Sequence, residues 1–568
     1  MAWSLWFARW RSIACATLVM AAVAAGTAVV ISAGASGEPR DDKTLAHVLD
    51  RMTFGVRPGD VDTLKRIGVG AFLDQQLHPE RIQDHTLETR LQGFDTLNLS
   101  TDEIAQEYFL PALRARRERK REQAAQSPDA AAGAEKPQVE NPAPRDPAML
   151  KQRQVMIELA EQKLLRAIYS ERQLQEVLVD FWFNHFNVFA GKGPDRIMLT
   201  SYERDVIRPN VFGKFLDLLG ATAHSPAMLF YLDNWMSVDP AAAERLNDLR
   251  ERGMTRRQQF GFTRPRRQAA PDGQAQPPKT GRRTGLNENY ARELMELHTL
   301  GVDGGYTQHD IVEVARAFTG WTIAGPRRGS AGFQFDSRLH DNGSKIVLGH
   351  KINAGGEKDG EQVLDILARH PATARFISAK LARRFVADNP PPSLIDRAAR
   401  RFQDTDGDLR EVVRTILTSP EFYDAAVYRA KVKTPLEFVV SAIRATSADV
   451  SRAVFLARSL QQLGMPLYMS QPPTGYADRA DAWVNTGALV GRMNFAVSLA
   501  DNKIPGVHVD LPRLVGDRNG DLAGARDRLV QALLRSDASS ATLATLTRAS
   551  DVSQLAALTM GAPEFQRR

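Results

Sequence analysis

Cysteine is almost missing from this chain: Cys15 is the only one in 568 residues. It lies inside an apolar run near the N-terminus, so the rest of the chain can form neither a disulfide nor a thiolate metal site. Zinc-finger and cysteine-nucleophile chemistry are thereby excluded. The catalytic signatures that announce themselves by spacing are missing too. There is no G-x-S-x-G, no Ser-x-x-Lys set and no H-E-x-x-H, which removes the nucleophile elbow, the serine–lysine pair and the zinc-protease helix. Strict apolar/polar alternation is also scarce, which argues against a β-rich body. Histidine is limited to eleven residues, so each one inside a polar cluster carries weight.

What is present is an ordinary globular composition, 43% hydrophobic and 25% charged, on a chain long enough to build a large core without disulfides or a metal. The formal charge of +7 comes from scattered arginine clusters. The basic segments carry no nucleic-acid recognition fold and read as solvated linkers, so specific nucleic-acid binding is not expected. At the N-terminus Arg9 and Arg11 precede an uncharged stretch from Ser12 to about Gly37, ending in the small residues of "SAGA". That is the pattern of a secretory signal over 1–35. The stretch is also long enough to span a bilayer, and an uncleaved anchor is the alternative. Either way the body is expected in the periplasm or beyond, touching a membrane only through this segment.

The apolar period along the body is helical nearly throughout, which predicts a mainly α, multi-helix globular body with at most a small β-hairpin element. In "SERQLQEVLVDFWFNHFNVFAGKG", Ser170 and Gln173 fit a capping box, and the helix is expected to run to about Gly191. Asp408 is placed to cap "GDLREVVRTILTSPEF", and Phe333, Phe335 and Ile346 to Leu348 are expected to pair as a hairpin. Two segments, 114–148 and 250–285, are rich in Arg, Pro, Ala and Gln without an apolar period and read as flexible insertions. The expected layout is a signal over 1–35, a helical body over 43–500 carrying both insertions, and a C-terminal helical extension over 501–568.

Two helices concentrate the polar chemistry. In "NENYARELMELHTLGVDGGYT", Tyr290, Leu294 and Leu297 form a buried stripe, while Asn289, Glu293 and Glu296 line an adjacent polar one and Arg292 sits four residues from both Glu288 and Glu296. His298 closes this helix, where the C-terminal dipole favours an imidazolium. In "FWFNHFN", Asp180, Asn184, His185 and Asn187 abut Phe181, Trp182 and Phe186. Packing the two apolar stripes together would bring both polar stripes to one seam. The turn "LHDNGSK" adds His340, Asp341 and Lys345, and "QPPTGYADRADAWVNTGALVGRMNF" has the Pro, Gly and aromatic content of a pocket-lining loop. "DTDGD" over 404–408 has its glycine too early for an EF-hand and reads as a turn and cap.

These segments, with "HVLDRMTFGVRPGDVDTLKRIGVGAFLDQQL" and "DILARHPATARFISAKLARRF", occur in an order that resembles the bacterial family called domain of unknown function 1800, over about 43 to 500. The resemblance implies an exported protein, often encoded beside sulfatase-like proteins, and carries no established activity. It falls on polar and aromatic positions rather than plain core, which favours one shared pocket. The catalytic candidates are therefore Glu293, Glu296, His185 and His340. The substrate-binding candidates are Asn184, Asn289, Arg292, Asp341, Lys345, Trp321 and Trp483. No cofactor is indicated, and no metal site is assigned. Three function classes follow: a hydrolase-like enzyme on an extracytoplasmic polymer or ester, a non-catalytic scaffold or secretion partner of a co-encoded sulfatase-like protein, and an anion- or surface-polymer-binding module.

Overall fold

The computed structural model describes residues 41–126, 147–248, 285–324, 332–516 and 521–568. The N-terminal segment and most of both insertions lie outside them. Of the first insertion, the described part continues a helix to Gln126, and helix resumes at Pro147.

The helices that position the site are α1 (Asp42–Met52), α2 (Pro147–Tyr169), α3 (Gln173–His185), α4 (Phe215–Ala223), α5 (Glu288–Glu293), α6 (Gln308–Ala317), α7 (Lys358–Arg369), α8 (Pro371–Phe385), α9 (Pro435–Ala445), α10 (Thr486–Ala500), α11 (Leu522–Leu534) and α12 (Val552–Gly561). The fold is mainly α. Its strands, among the described residues, pair only as antiparallel two-stranded sheets.

Local signals explain many boundaries. Thr434 and Glu437 close a capping box on α9, and Asp408 accepts the Glu411 backbone N–H as expected. α3 departs from its expectation at both ends. Ser170 donates its hydroxyl to Asp84 at 2.5 Å, and Gln173 spends its amide on the Phe54 N–H and the Ala167 and Ser170 carbonyls, so no capping box forms. The helix stops at His185, because Asn187 turns away to bond a distant loop. The hairpin partners differ as well. β1 (Trp321–Ile323) pairs with β2 (Phe333–Phe335), and β3 (Lys345–Val347) pairs with β4 (His350–Ile352). Phe333 and Phe335 therefore face a strand the sequence pattern had not offered.

One continuous apolar core runs from α1 to α12. α3 lies in its middle, with Leu174, Leu178 and Trp182 fully buried. The residues after 500 belong to the same body: α12 packs along α10 and α11, and Arg568 exchanges backbone hydrogen bonds with Lys431. No helix among the described residues is long and apolar enough to cross a membrane.

Candidate functional site

α3 presents two chemistries on adjacent faces. On one, the Asn184 amide donates to the Tyr476 carbonyl and accepts the Tyr476 N–H, both at 2.7 Å, imitating a backbone pair. Asn187 donates to the Ser470 and Pro472 carbonyls at 3.0 Å, and the Tyr231 hydroxyl donates to the Gln471 carbonyl at 2.7 Å. The loop over 470–478 is thus pinned by three side chains from two other parts of the chain. Gly475 makes the fit possible, since its φ is +70° and a Cβ there would lie 2.3 Å from the Asn184 carbonyl oxygen.

Under this loop is a narrow cleft of about 60 Å³, room for a few waters or one small polar group. Lys163, Asp180, Asn184, Arg384, Tyr476 and Asp478 line it. Its charges are compensated by neighbours. Lys163 lies 3.1 Å from Asp180 and 3.6 Å from Glu203, Arg384 lies 2.7 Å from Glu437, and Lys431 lies 3.1 Å from Asp478. Glu437 also meets Arg568 at 2.9 Å. The two guanidiniums outweigh its burial and hold its carboxyl down at about 2.

On the other face, His185 is sealed among Trp182, Phe186 and Phe376. Its Nε2 lies 3.1 Å from the His298 carbonyl, which can only accept, so Nε2 carries the proton and Nδ1 accepts from Lys380 Nζ at 2.8 Å. Burial pushes the His185 imidazole well below its usual range, with Lys380 beside it adding to the effect. Burial likewise lowers His298 to about 3, which overturns the expected imidazolium, because desolvation outweighs the helix-end dipole. Lys380 falls to about 8 through burial and the neighbouring Arg383. Among the described residues no carboxylate pairs with it.

The two polar helices do meet, though through His298 rather than the glutamates. The turn of π-helix over Leu294–Thr299 that follows α5 packs against α8 and delivers His298 to His185 and Phe186. Glu293 is half-buried, and its carboxyl is raised by burial and by Glu296, with Arg292 opposing. It lies within electrostatic reach of Tyr231, while Glu296 lies close enough to Tyr306 to help raise its phenol. Arg292 reaches Glu288 at 3.7 Å and Gln308 at 2.9 Å. The exposed Asn289 donates to the Leu232 carbonyl. None of these side chains lines the cleft.

The third group forms a separate buried knot. His340 Nδ1 faces the Thr319 carbonyl at 2.7 Å and Nε2 faces Asp359 at 3.0 Å, while Lys345 Nζ donates to the same Asp359 oxygen at 2.5 Å. The side chains of His340, Lys345 and Asp359 have no exposure at all. Asp341 holds Arg316 at 2.7 Å. Trp321 is buried against Phe318 and Phe333, away from the cleft, whereas Trp483 donates to the Ala477 carbonyl at 2.8 Å and braces the cleft loop.

Lys163, Lys380, Arg384 and Asp478 were not singled out by sequence reasoning. One signal was available: Phe376, Lys380 and Arg384 fall at four-residue steps on α8 beside the apolar Ile377, Leu381 and Phe385. Lys163 and Arg384, each paired with a carboxylate, define a helical protein with a charge-compensated cleft braced by a pinned loop. The chain belongs to the family described as protein of unknown function (DUF1800), whose model matches residues 47–567. No curated protein and no solved structure matches it.

Proposed function

We propose that this protein acts outside the cytoplasm as a non-catalytic binding partner of a co-encoded sulfatase-like protein. The observation that carries the reading is a set of exposed apolar side chains that flank the cleft loop in sequence. Met469, 43% exposed, immediately precedes the 470–478 loop, and Val484, Leu489 and Val490, 48%, 48% and 55% exposed, lie just before α10 and in its first turn. Grouped apolar side chains left in water mark contact surfaces more often than chance exposure. The acid–base candidates fit this reading, since His185 and His340 are engaged in buried hydrogen bonds. The compensated charges of the cleft weigh against a simple anion site.

The test is co-expression of the full chain with the sulfatase-like protein, followed by size-exclusion chromatography of the exported fraction. A stoichiometric complex that the double variant L489D/V490D abolishes, with its melting temperature unchanged, is the expected result. A chain that elutes alone, or a complex indifferent to that variant, would sink the reading. Recovery of the chain from the cytosol would remove its extracytoplasmic part.

One observation favours a second, enzymatic reading. Lys380, lowered to about 8 and hydrogen-bonded to an uncharged histidine near Asp478, suits a proton acceptor in a hydrolase-like reaction on an extracytoplasmic ester or polymer. Turnover of an ester panel whose rate rises through pH 8, and that K380M removes while the fold persists, would favour it.

A further inference from the structure

We propose that His224, Glu357 and Glu361 form a three-ligand site for a divalent transition-metal ion. One ligand atom from each lies within 4.8 Å of the other two. Around an ion held at zinc-like bond lengths, neighbouring ligand atoms sit about 3.4 Å apart. The gap closes by rotating the Glu361 side chain, which is exposed and free to move.

The histidine is prepared for the role. His224 follows the last residue of α4, and its Nδ1 donates to the Gly220 carbonyl at 2.8 Å. That bond fixes the tautomer with the proton on Nδ1 and leaves the Nε2 lone pair for a ligand, the arrangement that orients metal-binding imidazoles. The ring is also held sideways, 4.4 Å from the centroid of Trp321 and 4.7 Å from that of Phe333.

The carboxylates come from one helix. Glu357 immediately precedes α7, its side chain making no capping bond, and Glu361 lies four residues on, so both project from the same side of its first turn. The helix dipole alone accounts for acidic residues at such an end. It does not account for both being aimed at an anchored imidazole. Among the described residues neither glutamate has a lysine or arginine partner, in a molecule where most partly buried carboxylates have one. The nearby Asp359 is occupied with His340, Lys345 and the Gly355 N–H and is no competitor.

One nitrogen and two carboxylate oxygens suit a borderline-to-hard divalent ion, with zinc and manganese the fitting class. Three protein ligands leave coordination positions for water or for an oxygen of a bound molecule. The site is distinct from the cleft under the 470–478 loop and stands whether or not the partner reading holds.

The test uses the untagged full chain, stripped with a chelator, desalted, and titrated calorimetrically with zinc chloride and with manganese chloride. One ion per chain is expected, with affinity lowered at least tenfold in E361Q and in H224Q. E361Q changes an exposed side chain, so its melting curve without metal should match the parent, and it keeps the proposal testable if H224Q disturbs the Trp321 packing. Absence of saturable binding by either ion, or binding by E361Q equal to the parent's, overturns the proposal.

Discussion

Lys380 and His185 are joined by a 2.8 Å hydrogen bond whose direction is set from the far side of the ring, where the His298 carbonyl claims the proton-bearing nitrogen. An ammonium is thereby held against a neutral imidazole in a largely apolar setting. That arrangement is costly for the charged lysine.

The cost gives a pH signature. Lys380 titrates at about 8 in the folded chain against an ordinary 10.5, so between those values the unfolded state binds more protons. Stability attributable to this group therefore rises with pH across that window. Relative to K380M, the parent should gain stability between pH 8 and 10.5, as measured by urea denaturation at several pH values. Parallel curves for the two proteins would show that Lys380 is not desolvated.

Glu437 should give the opposite limb. Held at about 2 by Arg384 and Arg568 against an ordinary 4.5, it contributes stability that is fully present above pH 4.5 and is lost as pH falls toward 2. E437Q leaves two buried guanidiniums short of an anion and is expected to cost roughly 3 to 5 kcal/mol at neutral pH. The deficit relative to the parent should narrow on acidification below pH 4.5. A deficit independent of pH would mean that shape, not charge, is what the variant removes.

Asn184 tests the loop. N184A strips both the donor and the acceptor that imitate a backbone pair with Tyr476, leaving two backbone groups unpartnered in a half-buried place. A loss of about 2 to 3 kcal/mol is expected. Hydrogen exchange should accelerate over 470–478 before the rest of the body. Uniform acceleration would instead make Asn184 a general core residue.

These residues also show what a sequence discloses. Helices were legible wherever period and cap agree locally, as at Thr434 with Glu437 and at Asp408. That "FWFNHFN" lies near the helical stretch begun by "NENYAREL" was legible in outline, though the contact runs through His298 in the turn that follows. Its chemistry was not. Asn184 and Asn187 find their partners in a loop nearly three hundred residues away, and Ser170 is taken from its local cap by Asp84. A polar side chain near a helix end can satisfy itself locally or across the fold, and the local pattern is the same in both cases. Lys380 was marked only by its four-residue steps from Phe376 and to Arg384 beside the apolar stripe of α8, a faint signal on a helix that carries several basic residues.

Gly360 offers the sharpest packing test. It lies in the first turns of α7, where replacing glycine by alanine should by helix propensity alone stabilise the protein by about 1 kcal/mol. Here a Cβ would fall 2.6 Å from Trp321 Cζ2 and 2.8 Å from Cε2. Trp321 is fully buried, with Phe318, Phe333 and His224 around it, and has nowhere to retreat. Overpacking of this kind costs about 1 to 3 kcal/mol, so G360A should be net destabilising by urea denaturation. The displaced turn would also carry Glu357 and Glu361 away from His224, and zinc affinity should fall in the same variant. Stabilisation by the propensity value would show that α7 and Trp321 are not in close contact, and would remove the support that holds the two glutamates opposite the imidazole.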